Sequence, residues 1–205
     1  MLDAAIADSS DTDIQGSSEP IDVARIFDRG IALSIFAKAL AEQSARGGSL
    51  KGRLGLTSEE FATFARYCGW EGVEPEIEAS HVQMADEQGW VRDLLQRHAE
   101  PGSPIAALLA PIVARRAMEA NHLWEDLGLD CRGSLTRLMQ RHFGELARLN
   151  TNNMRWKRFL YRRLCEEEGV SHCTSPTCSI CPDVNECFDE GSIERSIAVG
   201  KQAPR

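Results

Sequence analysis

Four cysteines, Cys173, Cys178, Cys181 and Cys187, fall within fifteen residues of a 205-residue chain, at the spacing C-x4-C-x2-C-x5-C. A stretch this dense in thiols, with Pro, Ser, Thr and Asn between them, cannot build an apolar core. It needs another organising centre. Short spacers let several sulfurs converge on one point without a folded scaffold, and a bound metal holds each thiolate deprotonated. The remainder of the chain must therefore supply the core by itself.

The compartment decides what the thiols can do. The N-terminus, MLDAAIADSSDTDIQGSSEP, is acidic and lacks the basic-then-apolar order of a signal peptide. No apolar run approaches the roughly 18 residues of a membrane span. These features read as a cytoplasmic protein, where thiols stay reduced. Seven cysteines, an odd number, also make a poor disulfide framework. The formal net charge of −8 argues against a general binder of nucleic acid or anionic membranes.

Two metal readings compete. A tetrahedral zinc site normally joins two Cys-x2–4-Cys knuckles across a longer spacer. Here only two residues separate the Cys173/Cys178 pair from the Cys181/Cys187 pair. That compactness suits a zinc knuckle, a module that binds single-stranded RNA. The iron–sulfur reading rests on the C-x4-C-x2-C part, which matches plant-type ferredoxin spacing. An all-thiolate set selects zinc, Cu(I) or iron–sulfur over hard cations. The spacing puts iron–sulfur ahead of zinc and both ahead of free cysteines. His172 is an additional candidate ligand beside Cys173. Cys165, Cys68 and Cys131 read as small core residues, with Cys165 also a reserve ligand. His122 and His142 read as structural histidines.

Elsewhere the periodicity is helical. Ile26, Phe27, Ile31, Ile35, Phe36 and Leu40 recur at three- to four-residue steps up to Gly47-Gly48. Thr57 with Glu60 makes a capping-box pattern, and Gly69 a stop. A short helix is expected over 88–99. Ser103-Pro104 reads as a cap with a first-turn proline, and Pro111 as a kink or a break in the helix that follows. Ser134 is expected to cap LTRLMQRHFGELARL. Asn152 or Asn153 is expected to cap MRWKRFLYRRLCEEEG, with Gly169 as its stop. No period-two strand is present. The expected fold is an all-α helical bundle with a C-terminal cysteine-rich metal-binding loop and disordered termini. Its layout is a disordered acidic N-terminus over 1–19, a helical domain over 20–170, the cysteine loop over 171–190 and a polar tail over 191–205.

The helix before the cysteines is basic. It carries Arg155, Lys157, Arg158, Arg162 and Arg163, while Trp156, Phe159, Leu160 and Leu164 keep the spacing of a core face. Like charges at i,i+4 are mildly destabilising, so a counter-anion is expected. A thiolate cluster qualifies: at ~8 Å and an effective dielectric of ~20, each arginine contributes roughly 2 kcal/mol per unit negative charge. An oxyanion, which suits Arg forks, or an acidic partner qualifies equally. No catalytic constellation accompanies these residues. Gly47 and Gly52 stand at P-loop spacing, but Arg53-Leu54 replaces the Lys-Ser/Thr pair, and no strand precedes them.

Several segments together resemble the nitrogen-fixation protein NifQ family. They are ARRAM at 114–118, NHLWEDLGL at 121–129, LTRLMQRHF at 135–143, NMRWKRFLYRRLCEEEG at 153–169 and the four-cysteine signature. The resemblance implies a non-enzymatic carrier of molybdenum in a Mo–Fe–S cluster, supplying iron–molybdenum cofactor biosynthesis. It implies Cys173, Cys178, Cys181 and Cys187 as cluster ligands, molybdate or a molybdenum donor as supplier, and a nitrogenase cofactor-assembly scaffold and iron protein as partners. The alternative is a zinc-knuckle module binding RNA or protein.

Overall fold

A computed structural model describes residues 22–72, 86–168 and 193–200. Helix α1 (Val23–Arg46) starts at Asp22, whose carboxylate accepts from the backbone N–H of Ala24 and Arg25. It buries Ile31, Ala32, Ile35, Phe36 and Ala39. Ile26, expected on this face, points outward and is 59% exposed. Short α2 (Leu50–Leu54) leads to α3 (Ser58–Cys68). Both hydrogen bonds of the Thr57/Glu60 capping box form, and Gly69 closes α3 in the left-handed region at φ +73°. Phe36 of α1 meets Phe61, Phe64 and Trp70 at centroid distances of 5.6–6.3 Å, so aromatic packing ties α1 to α3.

The centre of the core is α5 (Ala106–Ala117), which packs against α4 (Asp86–Arg97). It runs unbroken through Pro111, so of the expected kink or break the break does not occur. The proline costs about 3 kcal/mol. Burying Leu108, Leu109, Ile112 and Val113 is worth roughly 1.5–3 kcal/mol each, so burial wins. Ser103 does not cap this helix. Ile105 holds the cap position without a side-chain hydrogen bond, and the Ser103 hydroxyl instead meets His142 Nδ1 at 2.7 Å.

After α6 (Leu123–Asp126), the segment expected as one helix is two. Helix α7 (Arg132–His142) begins two residues before Ser134, and Phe143 leaves the helical region at φ −138°, ψ 48°. Helix α8 (Gly144–Arg148) follows. The break buries Phe143 completely. Gly144 follows, and a Cβ there would stand 2.5 Å from Glu100 Oε1, so the flexible Glu100 carboxylate would have to move.

Helix α9 (Trp156–Glu168) starts later than expected. Neither Asn152 nor Asn153 caps it. Asn150 shapes the entry, accepting from the Met154 N–H at 2.8 Å and donating to its carbonyl at 3.0 Å. Arg132 donates to the carbonyls of Asn153 and Met154. Helix α10 (Ile193–Gly200) lies inside the span read as polar tail, with Ala198 fully buried. Composition hid the helical spacing of Ile193 and Ile197.

Among the described residues there is no strand, which agrees with the all-α expectation. None of their helices is long and apolar enough to cross a membrane. The acidic N-terminus, the Gly169 stop and the cysteine loop lie outside the described residues.

Candidate functional site

Cys173, Cys178, Cys181, Cys187 and His172 also lie outside the described residues. What the structure shows is the helix that delivers them. Trp156, Phe159, Leu160 and Leu164 of α9 are 0–5% exposed, and the Trp156 indole N–H donates to Thr136 Oγ1 at 3.2 Å. Tyr161, which periodicity did not single out, is also fully buried and reaches Met118 Sδ. The apolar face fixes α9 in the core, and its cations emerge around it.

Those cations have partners within the chain. Lys157 Nζ donates to Asp126 Oδ2 at 2.7 Å and to the Glu119 carbonyl at 2.6 Å, in a nearly closed site with side chains 11% and 4% exposed. Asn121 Nδ2 donates to the other oxygen of Asp126. Arg155 Nη1 stands 3.1 Å from His122 Nε2. Toward the far end, Arg162 Nε donates to Glu166 at 2.9 Å, and Arg163 forks to Glu166 and Glu167 at 2.7 Å each. Arg158, half-buried, sits between these groups. The hydrogen bond from Arg162 holds the Glu166 carboxyl below its usual range. Burial pushes Glu167 up, but hydrogen bonds from Arg163 and Arg97 hold it down.

Arg97, which pairs with Glu167 at 3.2 Å, belongs to a cleft of about 300 Å³ between the end of α4 and α8. Arg97, His98, Glu100, Glu145 and Arg148 line it. His98 stands 3.9 Å from Glu145 and 3.8 Å from Glu167. No sequence motif marks this cleft, because its residues come together only when α8 turns away at Phe143.

The remaining candidates fall into place individually. Burial raises the Cys68 thiol to about 11, making it an inert core residue. Cys131, read as a core residue, is exposed at the head of α7: the helix starts before Ser134, so position 131 lies outside the packed turn. Cys165 is half-buried in α9. His142 is 1% exposed; its Nδ1 meets the Ser103 hydroxyl and its Nε2 stands 3.1 Å from Asp28 Oδ1. Asp28 in turn accepts two hydrogen bonds from Arg141, at 2.6 and 2.8 Å. Among the described residues, no group of three or more His, Cys, Asp or Glu could hold a metal. The four thiols that the spacing singles out as candidate ligands follow α9 in the sequence, outside the described residues.

Comparison with known proteins agrees with the motifs. The NifQ family profile matches residues 34–189, which includes α9 and all four cysteines. A NifQ homolog of Sinorhizobium fredii is 36% identical over 91% of this chain and 82% of its own length. The NifQ proteins of Rhodobacter capsulatus and Azotobacter vinelandii are 38% and 37% identical, over 75% and 65% of this chain and 86% and 66% of their own lengths. No solved structure matches the chain. The chain belongs to the NifQ family, and its role lies in nitrogen fixation and iron–molybdenum cofactor biosynthesis.

Proposed function

We propose that the chain is a carrier that binds molybdenum in an iron–sulfur cluster and donates it for assembly of the iron–molybdenum cofactor. The observation that carries this reading is the C-x4-C-x2-C-x5-C donor set at the end of α9, inside the family match. Three thiolates suffice to hold a cuboidal iron–sulfur unit with one open corner. Molybdenum takes that corner as cargo, with the fourth cysteine or His172 as its protein ligand. The carrier has no catalytic step of its own. It works in the cytoplasm, where its thiols stay reduced, and hands its cargo to a cofactor-assembly scaffold and iron protein.

The basic helix divides its labour. Lys157 has a buried partner and belongs to the fold. Arg162 pairs with Glu166 on an exposed stretch of the same helix, and such a pair is worth ~0.3–0.5 kcal/mol. Arg163 and Glu167 pair in half-buried surroundings. An incoming oxyanion or the anionic cluster can therefore exchange with Glu166 at Arg162 at small cost. Arg155 and Arg158 add to the same cationic surroundings. The zinc-knuckle alternative lacks an aromatic platform here, because Trp156 and Phe159 are 5% and 1% exposed.

The test is metal analysis of protein purified without oxygen. Molybdenum together with iron and sulfide is expected. One zinc with neither iron nor molybdenum would overturn the proposal in favour of the knuckle. Cys181→Ala should abolish the iron–sulfur absorption, and unchanged absorption removes Cys181 from the ligands.

A further inference from the structure

Among the described residues, helix α1 has an outer face that is left exposed. Val23, Ile26 and Leu33 are 64%, 59% and 43% exposed. With Gly30 and Ala37, both exposed, they recur at steps of three and four residues. At about 100° per residue they fall in one narrow stripe. This is the spacing by which one helix reads another.

Gly30 is a second, independent observation. Glycine in a helix interior is disfavoured relative to alanine because it loses more backbone freedom on folding. The usual excuses are absent. Its φ is not positive, and a Cβ built there would meet nothing within 4 Å. Nothing within the fold requires this gap, but a side chain inserted from outside would fill it.

The flanks state the chemistry of what fits. Exposed Arg25 and Arg29 run along one side of the stripe. On the other, the Arg137 guanidinium lies 4.2 Å over the ring of Phe27, and Lys38 follows. The nearby carboxylates are engaged: Asp22 caps α1, Asp28 holds Arg141, and Glu42 holds Arg116. A second copy of this face would set arginine rows against each other in either orientation.

We propose that the outer face of α1 docks a helix of a partner protein that is apolar at the same spacing and flanked by carboxylates. Ile26 and Leu33 are the anchors, Gly30 receives a knob between them, and Arg25, Arg29 and Arg137 set the partner's charge and orientation. The anchors Ile26 and Leu33 and the gap at Gly30 precede residue 34, where the NifQ profile begins to match, while Ala37 and Arg137 lie within the match. The surface needs no metal, and it stands or falls separately from the carrier reading.

The probe is a fluorescent 22-residue helical peptide with a Leu/Ala stripe flanked by Glu, beside a control with Lys flanks, titrated by anisotropy against the full chain. One-to-one binding is expected, at least ten-fold tighter for the Glu peptide and weakening with salt. Arg25→Glu with Arg29→Glu should invert the preference, and Gly30→Leu should abolish binding while far-UV circular dichroism keeps its helical signal. Equal affinity for both peptides, or binding indifferent to Gly30→Leu, overturns the proposal. So does occupation by the chain itself. A photo-crosslinker at position 26 that marks residues 1–21 would show this, as would a dimer in sedimentation that Ile26→Asp dissolves.

Discussion

The two ends of α9 carry cations of the same formal charge and use them in opposite ways. At the base, Lys157 is sealed against Asp126 and the Glu119 carbonyl. At the tip, Arg162 and Arg163 pair along the helix surface with Glu166 and Glu167. The base resists exchange because either charge, once alone, would be stranded out of water. At the tip the Arg162–Glu166 pair permits exchange because both side chains reach water. The proposed carrier role would use both properties in one helix, a fixed root and a tip whose counter-ions can change.

The largest test removes one half of the root. Asp126→Ala leaves Lys157 buried without its charge partner and should cost ~3–5 kcal/mol in urea unfolding. Replacing both, as Asp126→Leu with Lys157→Met, should recover most of that loss, since a packed apolar pair is often neutral or better. A single variant that unfolds no more easily than the parent would make the root no different from the tip.

A second buried polar site sharpens the contrast, since His142 is sealed as a neutral ring rather than as an ion. Burial pushes its pKa below the ordinary 6.5, although Asp28 nearby pulls it upward. The unfolded chain then binds the proton more readily than the folded one. Stability is therefore greater above pH 6.5 and falls as pH drops below that value. Urea midpoints at pH 7.5 and 5.5 measure the loss, and His142→Gln should make it smaller. Groups facing the ring include Asp28 from α1, Arg141 from α7 and the Ser103 hydroxyl from the turn before α5.

How much of this was legible beforehand follows from the range of the interactions. Thr57 with Glu60, and Gly69, are local signals, and they formed as read. The core face of α9 was legible because its period spans the whole helix. Ser103 and Ser134 failed because a cap is a competition. Ser103 found His142 thirty-nine residues away, and α7 started early. The Lys157–Asp126 tie spans thirty-one residues, so no local pattern announces it. The fate of Ile26 depended on which side of α1 met α3. The cleft around His98 was illegible for the same reason. Of the site itself, the cysteine spacing carried the family; the i,i+4 pairs of Arg162 and Arg163 were legible in the spacing, while the partners of Arg155 and Lys157 were invisible until the fold set them.

A smaller effect belongs to α1. Gly30→Ala adds helix propensity at an exposed position with open space around it, and should stabilise the chain by ~0.5–1 kcal/mol in thermal unfolding. A destabilised variant would mean that the gap at Gly30 is filled from within the fold, which removes the reason to look for a partner there.

The smallest effect is expected at the tip. Arg162→Ala should cost less than ~0.5 kcal/mol at low salt and nothing measurable at high salt, because the pair with Glu166 is exposed on both sides. Its pH dependence runs in the same direction as that of His142, at lower pH. The Glu166 carboxyl is held below its usual 4.5 by the Arg162 hydrogen bond, so whatever the pair contributes is present above pH 4.5 and is lost as pH falls below it. A salt titration of the parent and Arg162→Ala decides the matter. Curves that converge as salt rises mean an exchangeable tip, where Glu166 holds the arginine only until a stronger anion arrives. Curves that stay well apart mean the tip is anchored like the root, and the oxyanion would then have to enter elsewhere.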